Sequence, residues 1–292
     1  MNNVVIAGYA RSPFAPAKKG ELAKVRPDEL AAQVVKALVE RSGINPGDIE
    51  DVIMGCAMPE GEQGSNIARM VGFLAKLPES TAGTTVNRFC GSSMQSIHMA
   101  AGAIRMNAGQ AFICAGVESM TRIPMGGFNP SPHPGLYGNY PEAYIGMGIT
   151  AENLAKKYEL SRAEQQEFAV SSHQKAAAAR EGGKLSDEII TIVDGNNRIE
   201  QDGCIRPETT VEGLDGLDPA FDQAGTVTAG TSSPLTDGAA AVLVCSEEYA
   251  DAQGQEKLAR IKSIAVSGCA PEIMGIGPVR ATEKALERAG VG

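Results

Sequence analysis

Between residues 4 and 117 the chain switches repeatedly from short apolar runs to longer amphipathic ones, and this alternation limits its fold more than any other feature. "VVIAGYA" (4–10), "DVIMGCAM" (51–58), "GTTVN" (83–87) and "AFICAGV" (111–117) read as strands. "RPDELAAQVVKALVERSG" (26–43), "NIARMVGFLAKL" (66–77) and "SMQSIHMAAGAIRMNAG" (93–109) read as helices. The first helix carries Pro27 in its first turn, acidic residues next and Gly43 past its end, the expected start and stop signals. The strands are apolar throughout instead of alternating, which predicts an α/β chain with a largely parallel sheet covered on both faces.

From Glu118 the texture changes. A stretch rich in Gly and Pro predicts irregular structure. Two helices follow, "ITAENLAKKYEL" and "SRAEQQEFAVSSHQKAAAAREGG", the second opening with Ser161 and Glu164 at capping-box spacing. "EIITIVD" reads as a strand and "DGCIRPETTVEGLDGLDPAFDQAG" as loop. Regular texture resumes at "TVTAGTSSPLTDGAAAVLVCS", where 237–244 reads as a packed helix-to-strand segment, followed by a strand at 259–270. "KALERAGVG" (284–292) echoes "KALVERSGI" (36–44), each ending a proline-led helix after an apolar strand. Two readings stand: a second copy of the opening unit begun near residue 259 and not completed, or a chance likeness of two Ala-rich helices. The expected domains are residues 1–118 with 228–258, an insertion at 119–227, and the start of a further domain at 259–292.

A net charge of −9 disfavours non-specific binding to nucleic acid or an anionic membrane. The six cysteines include no Cys-x-x-Cys pair and the three histidines no cluster, so no metal site is expected. Free cysteines in apolar runs suit a reducing cytosol. The first residues lack the pattern of a signal peptide, and no apolar run has membrane-span length. The expectation is a cytoplasmic protein without membrane insertion.

One cysteine stands apart. In "NRFCGSSMQSIH" (87–98), Cys90 lies between a strand and a helix, among small residues. Unpaired N–H groups and the positive end of the helix dipole favour a thiolate there and could stabilise an oxyanion. The competing reading is a buried structural thiol. A nucleophile also needs a base. His98 lies eight residues on, roughly 12 Å along a helix. His133 falls in a loop and His173 on a helix of the insertion. None is placed to activate Cys90.

Taken together, "VNRFCGSSMQSIH", "CAGVESMTRIPM", "GMGITAENLA", "IRPETT", "TVTAGTSSPLTDGAAAVL" and "MGIGPV" resemble the thiolase family along the whole chain, and most closely its degradative bacterial 3-ketoacyl-CoA members. The resemblance implies a layered αβαβα thiolase fold, with a loop domain inserted in the first half and most of the C-terminal half lacking here. It implies thiolytic cleavage of 3-ketoacyl-CoA in fatty-acid β-oxidation, with coenzyme A as co-substrate and no permanently bound cofactor. Cys90 matches the nucleophile, and its backbone N–H one oxyanion position. Ser233 matches a serine on the pantetheine arm, Met147 a methionine lining the thioester channel, Arg206 an arginine near the adenine end, and Phe221 an aromatic by the same ligand. For Met147 and Phe221 a plain core role remains the alternative, and for Arg206 a surface charge. The implied partners are acyl-CoA substrates, a second or further copies in a homodimer or homotetramer, and a multifunctional β-oxidation subunit.

Two departures qualify the resemblance. Biosynthetic acetoacetyl-CoA members tend to carry His where this chain has Gly146, and "AGNAS" where it has "AGTSS". Both differences point to the degradative branch, with the acetoacetyl-CoA enzyme as the alternative. The family's C-terminal Asn-Glu-Ala-Phe, Gly-His-Pro and Cys-x-Gly segments are not found, so the catalytic base is expected to be missing and the chain alone inactive. That leaves a third reading, a non-catalytic acyl-CoA-binding or dimerisation protein derived from a thiolase.

Overall fold

The computed structural model describes residues 3–292. Its strands are β1 (Val4–Arg11), β2 (Ala15–Pro16), β3 (Ile49–Gly55), β4 (Ala82–Val86), β5 (Ala111–Ser119), β6 (Ile192–Asp194), β7 (Asn197–Ile199), β8 (Thr236–Ser246) and β9 (Ala259–Arg260). Its α-helices are α1 (Pro27–Ser42), α2 (Ile67–Leu74), α3 (Ser92–Arg105), α4 (Pro134–Asn139), α5 (Met147–Lys157), α6 (Arg162–Glu181), α7 (Val211–Asp215), α8 (Glu247–Gln253) and α9 (Gly277–Ala289). Contacts group the chain into two units. The sheet unit runs through Asn129 and adds Leu185–Cys204 and Leu235–Lys262; the second unit holds Pro130–Lys184, Ile205–Pro234 and Ser263–Gly292.

The sheet runs β4-β3-β5-β8-β1-β9, with β2 beside β8. It is α/β and mixed. β3 is parallel to both β4 and β5, whereas β8 is antiparallel to β5 and β1. β8 enters after a long excursion of the chain, so no crossover helix dictates its sense. Alternate residues of one strand serve opposite layers, which explains strands apolar at every position. Val52 and Met54 of β3 join Val35 and Leu38 of α1 and Ile67 and Val71 of α2. Ile53, between them, joins Phe112, Cys114 and Val244 with Ala100, Ala101 and Ile104 of α3.

Three local expectations change. Residues 237–244 are strand throughout: Ala239 and Ala241 are buried in the middle of the sheet, where position overrides the helical preference of Ala. The strand expected at 259–270 is only Ala259–Arg260, paired with Val5 and Ile6. "EIITIVD" gives only the short β6, which forms a hairpin with β7; Ile190, Ile192 and Ile199 belong to the sheet unit's core, and Arg11 anchors this segment through Glu188 and Asp202. The echo between residues 36–44 and 284–292 persists at the level of the cap. α1 ends on Gly43 and α9 on Gly290, both left-handed with φ of 64° and 65°.

Among the described residues no helix is long and apolar enough to cross a membrane, and no group of three or more His, Cys, Asp or Glu is arranged to hold a metal ion.

Candidate active site

The parallel strands β3 and β5 pair Gly55 with Gly116 near their C-terminal ends. A Cβ on Gly55 would lie 2.5 Å from Ser92 C and Ser93 N, and one on Gly116 would lie 1.9 Å from Ser93 Oγ. The two bare glycines therefore let the first turn of α3 rest directly on the sheet. Below that turn, Ser96, Ala100, Ala101 and Ile104 form its buried stripe. Ligands of α/β sheets are characteristically bound beyond the carboxyl ends of parallel strands, and that is where residues 87–91 lie, joining β4 to α3.

Cys90 is exposed, so the buried-thiol reading is excluded for it. Phe89, just before it, has φ of 45° and a side chain 65 % exposed. A bulky residue in the left-handed region costs roughly 1–3 kcal/mol and persists only when its surroundings hold it. Two polar side chains do so here. Asn87 Oδ1 accepts the Phe89 N–H at 2.8 Å. Ser92 Oγ, buried, accepts the Arg88 N–H at 2.8 Å and donates to the Phe89 carbonyl at 2.6 Å. Asn87 is itself tied down, its Nδ2 donating to the Ala57 carbonyl at 2.9 Å. The Ala57 and Met58 N–H groups donate to Glu118, at 2.7 and 3.3 Å. Gln63, with no exposed surface, donates to Glu118 at 2.6 Å and to the Met58 carbonyl at 2.8 Å, and accepts the Ser119 N–H at 2.7 Å.

Three other thiols of the sheet unit, Cys56, Cys114 and Cys245, are buried. Burial and the nearby Glu118 carboxylate push Cys56 up to about 12, and burial pushes Cys245 up to about 11 and Cys114 up as well. His98 sits two turns into α3, partly buried, with its protonation lowered by burial and by Arg88. His133 caps α4 and His173 accepts the Arg206 N–H through Nδ1, both in the second unit.

The four residues proposed for the coenzyme lie in that second unit. Met147, Arg206 and Phe221 are exposed, and Ser233 is exposed with them. Met147 opens α5, and the Phe221 ring lies on the next residue: a Cβ on Gly148 would come within 2.1 Å of it. Phe221 therefore packs on the first turn of α5, which Met147 opens. Arg206 lies beside His173 of α6, its N–H donating to His173 Nδ1 at 3.2 Å. Ser233 follows the turn at Ala229–Thr231. That turn is anchored by Glu152 of α5, which accepts the Thr226 and Val227 N–H groups at 2.9 and 2.8 Å. Asn153 Nδ2 donates to the Glu272 carbonyl at 2.9 Å and anchors the "MGIGP" segment in the same way.

Sequence reading passed over Asn87, Gln63, Glu118 and Glu152. Asn two residues before a non-glycine turn position is a local signal for Asn87. Glu118, the one charge near the end of an otherwise apolar strand, signals an acceptor. Gln63 and Glu152 carry no local signal, because their partners are distant in sequence.

Residues 4–248 match the family model described as "Thiolase, N-terminal domain". The chain is 47% identical to a 3-ketoacyl-CoA thiolase of Bacillus subtilis, over 100% of this chain and 78% of that protein. It is 47% identical to one of Photobacterium profundum and 48% identical to one of Shewanella loihica, each over 100% of this chain and 77% of the relative. On these grounds the chain belongs to the thiolase family, and so among the acyltransferases.

Proposed function

We propose that the protein acts in thiolytic cleavage of 3-ketoacyl-CoA in fatty-acid β-oxidation, with Cys90 as the nucleophile and coenzyme A as co-substrate. The exposed Cys90 at the start of α3 carries this reading. Its thiolate attacks the 3-keto carbon. The bond between C2 and C3 breaks, and its electron pair stays on C2 as the enolate of acetyl-CoA, which takes up a proton. The acyl group remains on Sγ as a thioester. The thiolate of a second coenzyme A attacks that thioester, and Cys90 leaves as thiolate. The first half replaces the C2–C3 bond with a bond from C3 to sulfur and the second exchanges one sulfur for another, which suits a soft nucleophile. The Cys90 N–H donates to the oxyanion.

Met147 would line the thioester channel, and Phe221, packed on the neighbouring Gly148, would contact the same ligand. Ser233 would contact the pantetheine arm and Arg206 the adenine end. Proton transfer to the enolate and to the thiols needs an acid–base group. No histidine of the sheet unit besides His98 is at hand, so we assign that step to the family's Gly-His-Pro and Cys-x-Gly segments. Gly146, where biosynthetic members tend to carry His, supports the degradative branch. A second copy would join through the sheet unit, where β4 is an edge strand and Met70, Phe73 and Leu74 of α2 expose apolar surface.

The test is a chimera of this chain followed by the C-terminal segment of the Bacillus subtilis relative, assayed for coenzyme A-dependent loss of 3-ketoacyl-CoA across acyl lengths. Turnover on several lengths, abolished by Cys90→Ser with coenzyme A binding retained, is expected. Thiolysis by the Cys90→Ser chimera would overturn the nucleophile. Activity confined to acetoacetyl-CoA would overturn the degradative assignment.

A further inference from the structure

We infer that Asn87 is a positioning residue for Cys90, acting through the left-handed backbone of Phe89; the inference rests on the role proposed for Cys90. Phe89 is exposed, so packing does not hold its φ of 45°. Two hydrogen-bonding side chains do, and they differ in kind. Ser92 belongs to α3 and moves with it. Asn87 is the link to the sheet: it takes the Phe89 N–H at 2.8 Å and gives its own N–H to the Ala57 carbonyl at 2.9 Å. Ala57 is fixed in turn by Glu118 at 2.7 Å, and Glu118 by the fully buried Gln63 at 2.6 Å.

A run of hydrogen bonds thus leads from the interior of the sheet unit to the residue before the nucleophile. The direction of a side chain follows from the backbone torsions beside it. If Phe89 relaxes to the ordinary negative-φ regions, Cys90 swings off the start of α3 and its thiol loses its fixed direction.

The experiment uses the chain as it is. Alkylation by iodoacetamide is timed and mapped by peptide mass spectrometry, with the exposed Cys269 of the second unit as internal reference. In the wild type Cys90 reacts faster than Cys269. Asn87→Ala should lower the Cys90-to-Cys269 rate ratio about tenfold, the scale of a lost backbone constraint. Phe89→Gly placed in the Asn87→Ala chain should restore the ratio, because glycine takes a positive φ without a clamp. A merely structural role for Asn87 would not be rescued in this way.

An unchanged ratio in Asn87→Ala, or a double variant as slow as the single one, overturns the inference. A wild-type Cys90 no faster than Cys269 overturns the nucleophile reading itself, and this inference with it. Should Asn87→Ala fail to fold, Asn87→Ser keeps an acceptor for the Phe89 N–H but drops the link to Ala57. An intermediate ratio is then expected, and a wild-type ratio overturns the tether.

Discussion

The two units hold their important residues in opposite ways. In the sheet unit the loop that carries Cys90, the proposed nucleophile, is backed by buried polar groups: Gln63 and Ser92 are shielded from solvent, and bare glycines bring α3 onto the strands. In the second unit Met147, Arg206, Phe221 and Ser233 are exposed, and the segment leading to Ser233 is tied to α5 by Glu152. Bond-making chemistry tolerates little displacement of the attacking atom. Recognition of a long flexible ligand can be spread over surface contacts, each worth little alone. On the proposed roles, rigidity is placed where the chemistry is.

Changes that break this contrast should be felt most beneath α3. Gly116→Ala puts a methyl onto Ser93 and should cost about 3 kcal/mol, at the upper end for overpacking. Gly146→Ala in the second unit meets no atom within 4 Å and should stay within about 0.5 kcal/mol. Urea titration separates the two, and equal losses would refute the close approach of α3 to the sheet. Next comes Gln63→Ala, which leaves Glu118 and the Ser119 N–H short of a buried partner and should cost about 2 kcal/mol by the same titration.

Glu152→Ala should cost about 1 kcal/mol, since the freed N–H groups are only partly buried. Its signature is local: hydrogen exchange at Thr226 and Val227 rises while that of β5 does not. A general rise would mean that Glu152 supports more than its turn. The smallest effect belongs to His98. Burial and Arg88 hold its folded protonation below the ordinary imidazole value, so on acidification the unfolded chain takes the proton first. Its contribution is whole above the unfolded value and is lost as pH falls through the folded one. Between about pH 7.5 and about pH 5.5 the wild type should lose more stability than His98→Gln. Equal losses would remove His98 from the account.

Much of this was legible in the sequence, for local reasons. Pro27 and Gly43 bracket α1, and Ser161 with Glu164 forms the capping box read from their spacing. The β4-to-α3 placement of Cys90 follows from the change of period around it. What stayed hidden depends on distant partners. The sense of β8 is set by β5 and β1, not by its own alanines. The left-handed Phe89 is invisible because a bulky residue gives no hint of it. The chain of Gln63, Glu118 and Asn87 draws on three separate segments that only the sheet brings together.

The most direct measurement is acyl transfer from acetyl-CoA to this chain, followed by peptide mass spectrometry over its six cysteines. The account predicts that Cys90 acquires the acetyl group first, that Cys269 lags although both are exposed, and that Cys56, Cys114 and Cys245 acquire none until the protein unfolds. Labelling of Cys269 as fast as Cys90, or acetylation that persists at its full rate in Cys90→Ser, would contradict it.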